Sequence, residues 1–193
     1  MRIRSSRLKL PRIVVLGMLE LLLAGTVLGQ SSTAASPEQI TADLQGRAKQ
    51  YLDFRKQVAG STPKSNSTPS KITSAQNDLA NKIRVARAGA KQGEIFTPEI
   101  AQYVRRQIAS RLSGPDGKRI RASLRHAEPV NITLQINQSY PDNVPLQSTP
   151  PSLLISLPQL PTGLEYRLVG KELVMRDVDA NIVVDYVANA LPS

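Results

Sequence analysis

The chain has 193 residues, of which 25 are Lys or Arg and 15 are Asp or Glu, giving a formal net charge of +10. It contains no cysteine and one histidine, which excludes disulfides, thiolate zinc sites and clusters of imidazole ligands. Because the aromatic residues are five Tyr and two Phe, we expect a small, mostly aliphatic core. The length fits one domain, or a small domain with an appended helical part.

The first 29 residues have the layout of a secretory signal peptide. Five basic residues lie within residues 1–12, and an apolar run over 13–29 follows, interrupted by Glu20 and one threonine. Residues 30–36 are predicted to be a polar tether. The alternative is an uncleaved membrane anchor, although the run is at the lower limit for spanning a bilayer, and a central carboxylate costs about 2.5–3.5 kcal/mol there. In both cases we expect the rest of the chain to be exported, either periplasmic or secreted.

Capping motifs and apolar spacing predict three helices in the next part of the chain. The first covers about 37–58, with Ser36 as the N-cap and Gln39 placed to close a capping box, and it stops before Gly60. Its helical stripe is apolar except at Arg55.

The second helix is predicted to begin at 68–70 and to end at Gly93. Its apolar stripe is Ile72, Ala75, Leu79, Ile83, Ala86 and Ala90. The third helix begins behind the N-cap Thr97 and stops at Gly114. Its apolar positions repeat every four residues: Ile100, Val104, Ile108 and Leu112. Residues 116–125 fit either a helical turn or a strand.

The C-terminal part is predicted to be rich in β-structure. Alternation over 130–137 predicts a strand with one buried face. Residues 141–161 contain six prolines, too many for regular structure, and their interleaved Leu and Ile residues indicate a packed extended segment. Three short runs at 164–169, 172–176 and 182–187 predict an antiparallel meander.

The predicted fold class is therefore α+β: three N-terminal helices in a helical region over 37–125, then a β-rich region over 126–193. The second region holds the Pro-rich extended segment and the small C-terminal antiparallel β-meander, and we expect it to pack with the helices as one domain. Charge divides at the same junction, because residues 71–125 carry 12 bases and 4 acids whereas 126–193 carry 3 and 7. Either the two regions dock on each other, or the basic helices bind an anionic partner.

The densest basic stretch supplies the candidate site for an anion or a partner. Its members, with Lys118 beside them, are Arg105, Arg106, Arg111, Arg119, Arg121 and Arg125. Guanidinium groups bind phosphate, carboxylate and acidic polymers. The alternative is a solvated helix face partly paired with Asp177, Asp179 and Asp185. Nucleic acid is not the expected partner, because the protein is predicted to be exported and no aromatic residue in this stretch could stack on bases.

No catalytic residue, cofactor or metal site is predicted. The stretch from Asp177 to Asn181 matches the opening of an EF-hand loop, but Ile182 and Ala188 replace the required Gly and Glu, so a tight turn is the better interpretation. His126 accompanies no G-x-S-x-G nucleophile motif, which is absent from the chain. Walker A and H-E-x-x-H motifs are absent too.

Three segments resemble a family of exported bacterial proteins whose function is uncharacterised: GEIFTPE at 93–99, STPP at 148–151 and the run from Leu160 to Pro192. The similarity covers roughly residues 90–193. The stretch LEYRLVGKELVMRDVDANIVVDYV is also distantly similar to the C-terminal hairpin of periplasmic nickel/cobalt-homeostasis proteins. The chain lacks a His-rich segment, so metal homeostasis is not implied, and neither resemblance supplies a catalytic residue.

The resulting expectation is a non-enzymatic exported or periplasmic accessory protein that binds an envelope protein or an anionic envelope polymer. It would contact a membrane only through an uncleaved N-terminal segment. One alternative is a small periplasmic hydrolase that uses Asp177, Asp179 and Asp185, of which the first two share a strand face as paired acid–base work requires. Another is a structural module whose C-terminal strands add to a partner's sheet.

Overall fold

The computed structural model describes residues 35–60, 68–126, 133–140 and 149–192. The predicted signal peptide and most of the tether lie outside the described residues. The elements, in chain order, are α1 (Pro37–Ala59), α2 (Pro69–Ala86), α3 (Pro98–Ser113), α4 (Gly117–His126), α5 (Pro151–Leu154), β1 (Leu164–Val169), β2 (Glu172–Asp177) and β3 (Ile182–Val187). The predicted α+β class with a C-terminal antiparallel meander is confirmed.

Local capping explains where α1 and α3 begin. The Ser36 hydroxyl accepts from the Gln39 N–H at 3.3 Å, and the Gln39 side chain accepts from the Ser36 N–H at 2.8 Å, which completes the predicted capping box. The Thr97 hydroxyl accepts from the Ile100 N–H at 3.4 Å. Helix α1 ends before Gly60, whose φ of 67° is a conformation that glycine adopts without strain.

Helix α2 is shorter than predicted and packs less of its apolar stripe. It ends at Ala86 rather than at Gly93. The side chain of Ile72 is 46% exposed, and the buried positions of the helix are Ala80 and Ile83. The chain beyond it forms turns: the N–H of Ala90 donates to the Arg87 carbonyl at 3.0 Å, and the N–H of Lys91 donates to the Glu94 carboxylate at 2.8 Å.

The ambiguous stretch over 116–125 is helical. Helix α4 places Ile120 in the core and Leu124 against it, four residues apart on one helix face. The predicted strand over 130–137 is wrong where it is described. Residues 133–137 form no strand, and Asn137 has a φ of 63°, which breaks an extended run.

Residues beyond that turn still join the sheet at the edge of β3. The N–H of Asn137 donates to the Val183 carbonyl at 2.8 Å, and the Val183 N–H donates to the Gln138 carbonyl at 2.9 Å. The Tyr140 N–H adds a third bond to the Asn181 carbonyl at 3.0 Å. A short irregular segment therefore stands where a regular strand was predicted.

The Pro-rich segment contains one helical turn, which corrects the prediction that it lacks regular structure. Its first residues, 141–148, lie outside the described residues. Helix α5 begins at Pro151, a position that suits proline because its missing N–H would be unpaired there in any helix. Leu153 and Leu157 are buried in the main core, so this segment is packed.

The sheet has the order β1-β2-β3, and both pairs are antiparallel. One of its faces packs on the helices. Large buried side chains from α1, α3, α4 and the strands form one cluster there, including Leu44, Ile108, Ile120, Leu168 and Met175. Helix α2 contributes to a smaller cluster: Ala80, Ile83, Ala180 and Ile182. Helix α2 thus meets the sheet at the turn between β2 and β3.

Gly117 marks a close approach between the end of α3 and the start of α4. A Cβ at this position would lie 1.9 Å from the Leu112 carbonyl oxygen, well inside contact distance. The position is buried, so the added methyl could not turn into solvent. The orientation of α4 therefore depends on the absence of a side chain here.

Replacing Gly117 tests this packing. We expect Gly117→Ala to push α4 away from α3 and to lower the free energy of unfolding by about 1–3 kcal/mol. Gly46→Ala in α1 is the matched control: no atom lies within 4 Å of its added Cβ, and alanine should stabilise the helix by about 0.5–1 kcal/mol. Urea denaturation measures both. Equal stability of Gly117→Ala and the unchanged protein would contradict this packing.

Candidate functional site

Asp177, at the end of β2, is fully buried and joins the sheet to α1. Its Oδ2 accepts from the Tyr51 hydroxyl at 2.7 Å, and its Oδ1 accepts from the Arg55 guanidinium at 2.9 Å. The same Oδ1 also accepts from the backbone N–H groups of Asp179 at 2.9 Å and Ala180 at 3.1 Å. Three of these four donors reach Oδ1 and one reaches Oδ2, so the protein itself supplies partners for both oxygens of this buried carboxylate.

Tyr51 connects this contact to α2. Burial, together with the negative charge of Asp177, raises the pKa of Tyr51 far above its ordinary value, so its hydroxyl stays protonated and donates. The Arg87 guanidinium carbon lies 5.2 Å from the centroid of the Tyr51 ring, within the range of a cation–π contact. Arg87 also pairs with Glu94 at 3.1 Å.

Asp185, in β3, is the second fully buried carboxylate. Its Oδ1 accepts from the N–H groups of Gly93 at 2.9 Å and Tyr186 at 2.8 Å. Its Oδ2 accepts from the N–H groups of Ile95 and Phe96, both at 2.8 Å. This carboxylate fixes the loop that leads into α3.

These contacts show how the three acids of the alternative hydrolase, Asp177, Asp179 and Asp185, are engaged in the structure. Asp177 and Asp185 are enclosed by hydrogen bonds, and Asp179, whose side chain is 60% exposed, pairs with Arg55 at 2.8 Å. The turn from Asp177 is the tight turn expected from the sequence, and Asn181 in it has a φ of 49°. Within the described ranges, no group of three or more His, Asp or Glu side chains is arranged to hold a metal ion.

The predicted basic residues divide into bound and unbound groups. Arg105 donates to the Ala188 carbonyl at 2.8 and 3.1 Å, and Arg121 donates to the Leu112 carbonyl. Arg119 pairs at 3.0 Å with Asp116, the residue before α4. The remaining four are exposed and make no ion pair with the described part of the chain: Arg106, Arg111, Lys118 and Arg125. We call these four residues the basic surface.

The structure corrects the predicted pairing between these bases and the C-terminal acids. Among the described residues, Asp177 and Asp179 pair with Arg55 of α1, and Asp185 binds backbone N–H groups. The two regions do dock, but through α1 and the loop before α3. The sequence contained one signal for this partner, because Arg55 interrupts an otherwise apolar helical stripe.

The arginines of α3 do not share one face. At about 100° per residue, Arg105, Arg106 and Arg111 point in three directions, about 100° to 140° apart around the helix. On α4, by contrast, Lys118, Arg121 and Arg125 follow the spacing i, i+3, i+7 and form a row. The single basic face expected from the sequence is therefore a row on α4 next to separated arginines on α3.

A groove of about 840 Å³ runs between β1 and the segment around α5. Its wall includes Leu154, Leu157 and Tyr166. The neighbouring outer edge of β1 is closed at two points: the Leu168 N–H donates to the Thr149 hydroxyl at 3.1 Å, and the Leu164 N–H donates to the Pro161 carbonyl at 3.2 Å. A partner strand that paired along this edge would have to displace both bonds.

A second groove, of about 380 Å³, lies between α1 and α2. Three of its polar members already contact one another, since Arg47 donates to the Glu94 carbonyl at 2.9 Å and Arg87 pairs with the Glu94 carboxylate. Neither groove is lined by Asp177, Asp179 or Asp185. The acids of the alternative hydrolase therefore do not converge on either cleft.

No protein-family model, curated protein or solved structure matches this chain. The resemblance to exported bacterial proteins therefore stays a prediction. Of the helices that the structure describes, none has both the length and the apolar character needed to cross a membrane.

The buried contact at Asp177 gives a direct stability prediction. Asp177→Ala should lower the free energy of unfolding by about 3–5 kcal/mol, because it leaves Arg55 and the Tyr51 hydroxyl without their buried acceptor. Asp179→Ala removes an exposed partner of the same arginine and should cost less than about 1 kcal/mol. Denaturant titration of both variants compares them. Similar losses for the two would show that the buried carboxylate does not hold the sheet on α1.

Glu165 in β1 lies between two arginines on the opposite face of the sheet. It accepts from the Arg167 guanidinium at 2.7 Å through both carboxylate oxygens and from the Arg176 guanidinium at 2.6 Å. Burial alone would raise the pKa of Glu165, but the hydrogen bonds and charges of Arg167 and Arg176 lower it below its ordinary value.

A pH dependence follows from this lowered pKa. The folded-state pKa lies below the unfolded value of about 4.3, so the stabilisation is complete above that value and is lost as pH falls through the folded-state pKa. We expect Glu165→Gln to be less stable than the unchanged protein at neutral pH. The difference should shrink as the solution is acidified below about pH 4. Urea titrations across this range measure it, and a difference that stays constant with pH would contradict the assignment.

Proposed function

We propose that this protein is a non-enzymatic, exported accessory protein of the cell envelope that binds an anionic partner through the basic surface of α3 and α4. The observation that carries the proposal is the placement of the C-terminal acids. Asp177 and Asp185 are buried against α1 and the loop before α3, so neither compensates the exposed bases.

The charge of this part of the protein supports the proposal. Residues 98–126 contain seven Lys and Arg residues and two acids. One of these acids, Asp116, pairs with Arg119. A local excess of one sign raises the concentration of oppositely charged partners near the surface and speeds their association. The N-terminal layout typical of a signal peptide supports an envelope location.

The state of the acids also favours binding over catalysis. A general acid or base must exchange a proton with a substrate and so must reach it. Asp177 and Asp185 are fully buried and accept hydrogen bonds from the protein itself. Paired acid–base work would require at least one of them to give up those contacts.

The proposal is tested by measuring binding of the purified protein to matched anionic and neutral ligands. Vesicles with and without phosphatidylglycerol, and polygalacturonate against a neutral dextran, serve as probes. We expect binding to the anionic member of a pair, reversed by salt. Replacing the basic surface (Arg106→Gln, Arg111→Gln, Lys118→Gln and Arg125→Gln together) should weaken it at least about tenfold.

Two controls accompany this test. Lys49→Gln with Lys56→Gln removes two exposed charges from α1 and should leave binding unchanged. Protein isolated from the envelope should begin at Gln30 if the signal peptide is cleaved. Failure to bind any anionic probe, or equal binding by the fourfold variant, would refute the proposed function.

A further inference from the structure

We infer that the anionic partner is a flexible linear polymer, specifically an acidic polysaccharide, and that it lies along the row on α4 and continues onto α3. The inference rests on the proposed function and specifies its ligand. It depends on how the bases are placed around the two helices, which distinguishes a polymer from a membrane surface.

The row on α4 has a regular repeat. Lys118, Arg121 and Arg125 lie about 5 and 10 Å apart along the helix axis, measured from the first, and within about 60° of one another around it. A line of charges suits a linear ligand that carries an anion on successive units. Arg121, in the middle of the row, donates to the Leu112 carbonyl, so the charges of the row that make no ion pair or hydrogen bond with the described residues are Lys118 and Arg125.

Helix α4 has no apolar face left for a bilayer. Ile120 is buried and Leu124 packs against the same core, so the apolar side of the helix faces the core. A helix that lies in a membrane interface buries its apolar face among the acyl chains. Helix α4 could contact a membrane only through its charges.

The exposed arginines of α3 also favour a polymer over a membrane. Arg106 and Arg111 point about 140° apart around α3, so a flat surface that contacts one turns away from the other. A flexible chain can follow charged groups from one face to the next. The turn at 114–116 is short, which keeps the row on α4 close to α3. The arrangement therefore favours a polymer over a planar membrane.

The same surface lacks a platform for nucleic-acid bases. No aromatic residue lies between Arg105 and Arg125. Proteins that bind single-stranded nucleic acid combine basic grooves with aromatic rings on which bases stack. A polysaccharide bearing carboxylates needs only the charges, so it fits this surface better.

The test compares short and long oligomers of polygalacturonate with phosphatidylglycerol vesicles and with a single-stranded DNA of matched charge. We expect affinity for polygalacturonate to rise with oligomer length until the surface is covered. The logarithm of the binding constant should fall linearly with the logarithm of the salt concentration, by about 0.7 for each charge engaged.

Variants then locate the contact. Lys118→Gln with Arg125→Gln should weaken binding of the long oligomer about tenfold and reduce the salt slope by about 1–1.5. Lys49→Gln with Lys56→Gln is the matched control, because it removes two exposed lysines seven residues apart on α1 and should change neither value. Arg121 is left in place because it holds α4 to α3.

The outcomes separate the two proposals. Vesicle binding without polygalacturonate binding would overturn the inference that the ligand is a polymer, and it would leave the proposed function standing. Tighter binding of the DNA than of polygalacturonate would overturn the choice of polymer. Absence of binding to all three probes would refute the proposed function as well. Equal effects of the α4 and α1 variants would overturn the placement of the ligand.

Discussion

The fold depends on one buried carboxylate at the junction of its two parts. Asp177 ends β2, starts the turn to β3 and accepts hydrogen bonds from Tyr51 and Arg55 of α1. A charge taken out of water is tolerated only when its partners replace the lost hydration. Those partners come from both the turn and the helix, so the same carboxylate stabilises the turn and holds the sheet on α1.

Asp185 has the corresponding role in β3. Its carboxylate accepts hydrogen bonds from backbone N–H groups of the loop at 93–96, and this loop leads into α3. Helix α4 then follows α3 through the close contact at Gly117. The position of the basic surface is therefore set, step by step, by a carboxylate in the sheet.

The elements that the sequence predicted well are those decided by neighbours in the chain. Ser36 and Thr97 cap their helices through contacts three residues away, and the meander follows from alternation and short turns. The wrong predictions concern segments whose conformation depends on a group far away in the sequence. The Arg87 carbonyl at the end of α2 accepts a hydrogen bond from the side-chain amide of Asn137 at 2.9 Å. The turn at Asn137 depends on Arg87, whose guanidinium donates to its side chain at 3.0 Å.

Docking and anion binding, which the charge division presented as alternatives, are compatible in this structure. Docking uses the buried acids, whose partners are Arg55 and the Tyr51 hydroxyl of α1 and a set of backbone N–H groups. A backbone N–H satisfies a carboxylate without using a cationic side chain. The sheet can therefore attach to the helices while the bases of α3 and α4 keep their charge at the surface. Because Asp185 is satisfied by backbone donors, attachment of β3 leaves the basic surface available to a partner.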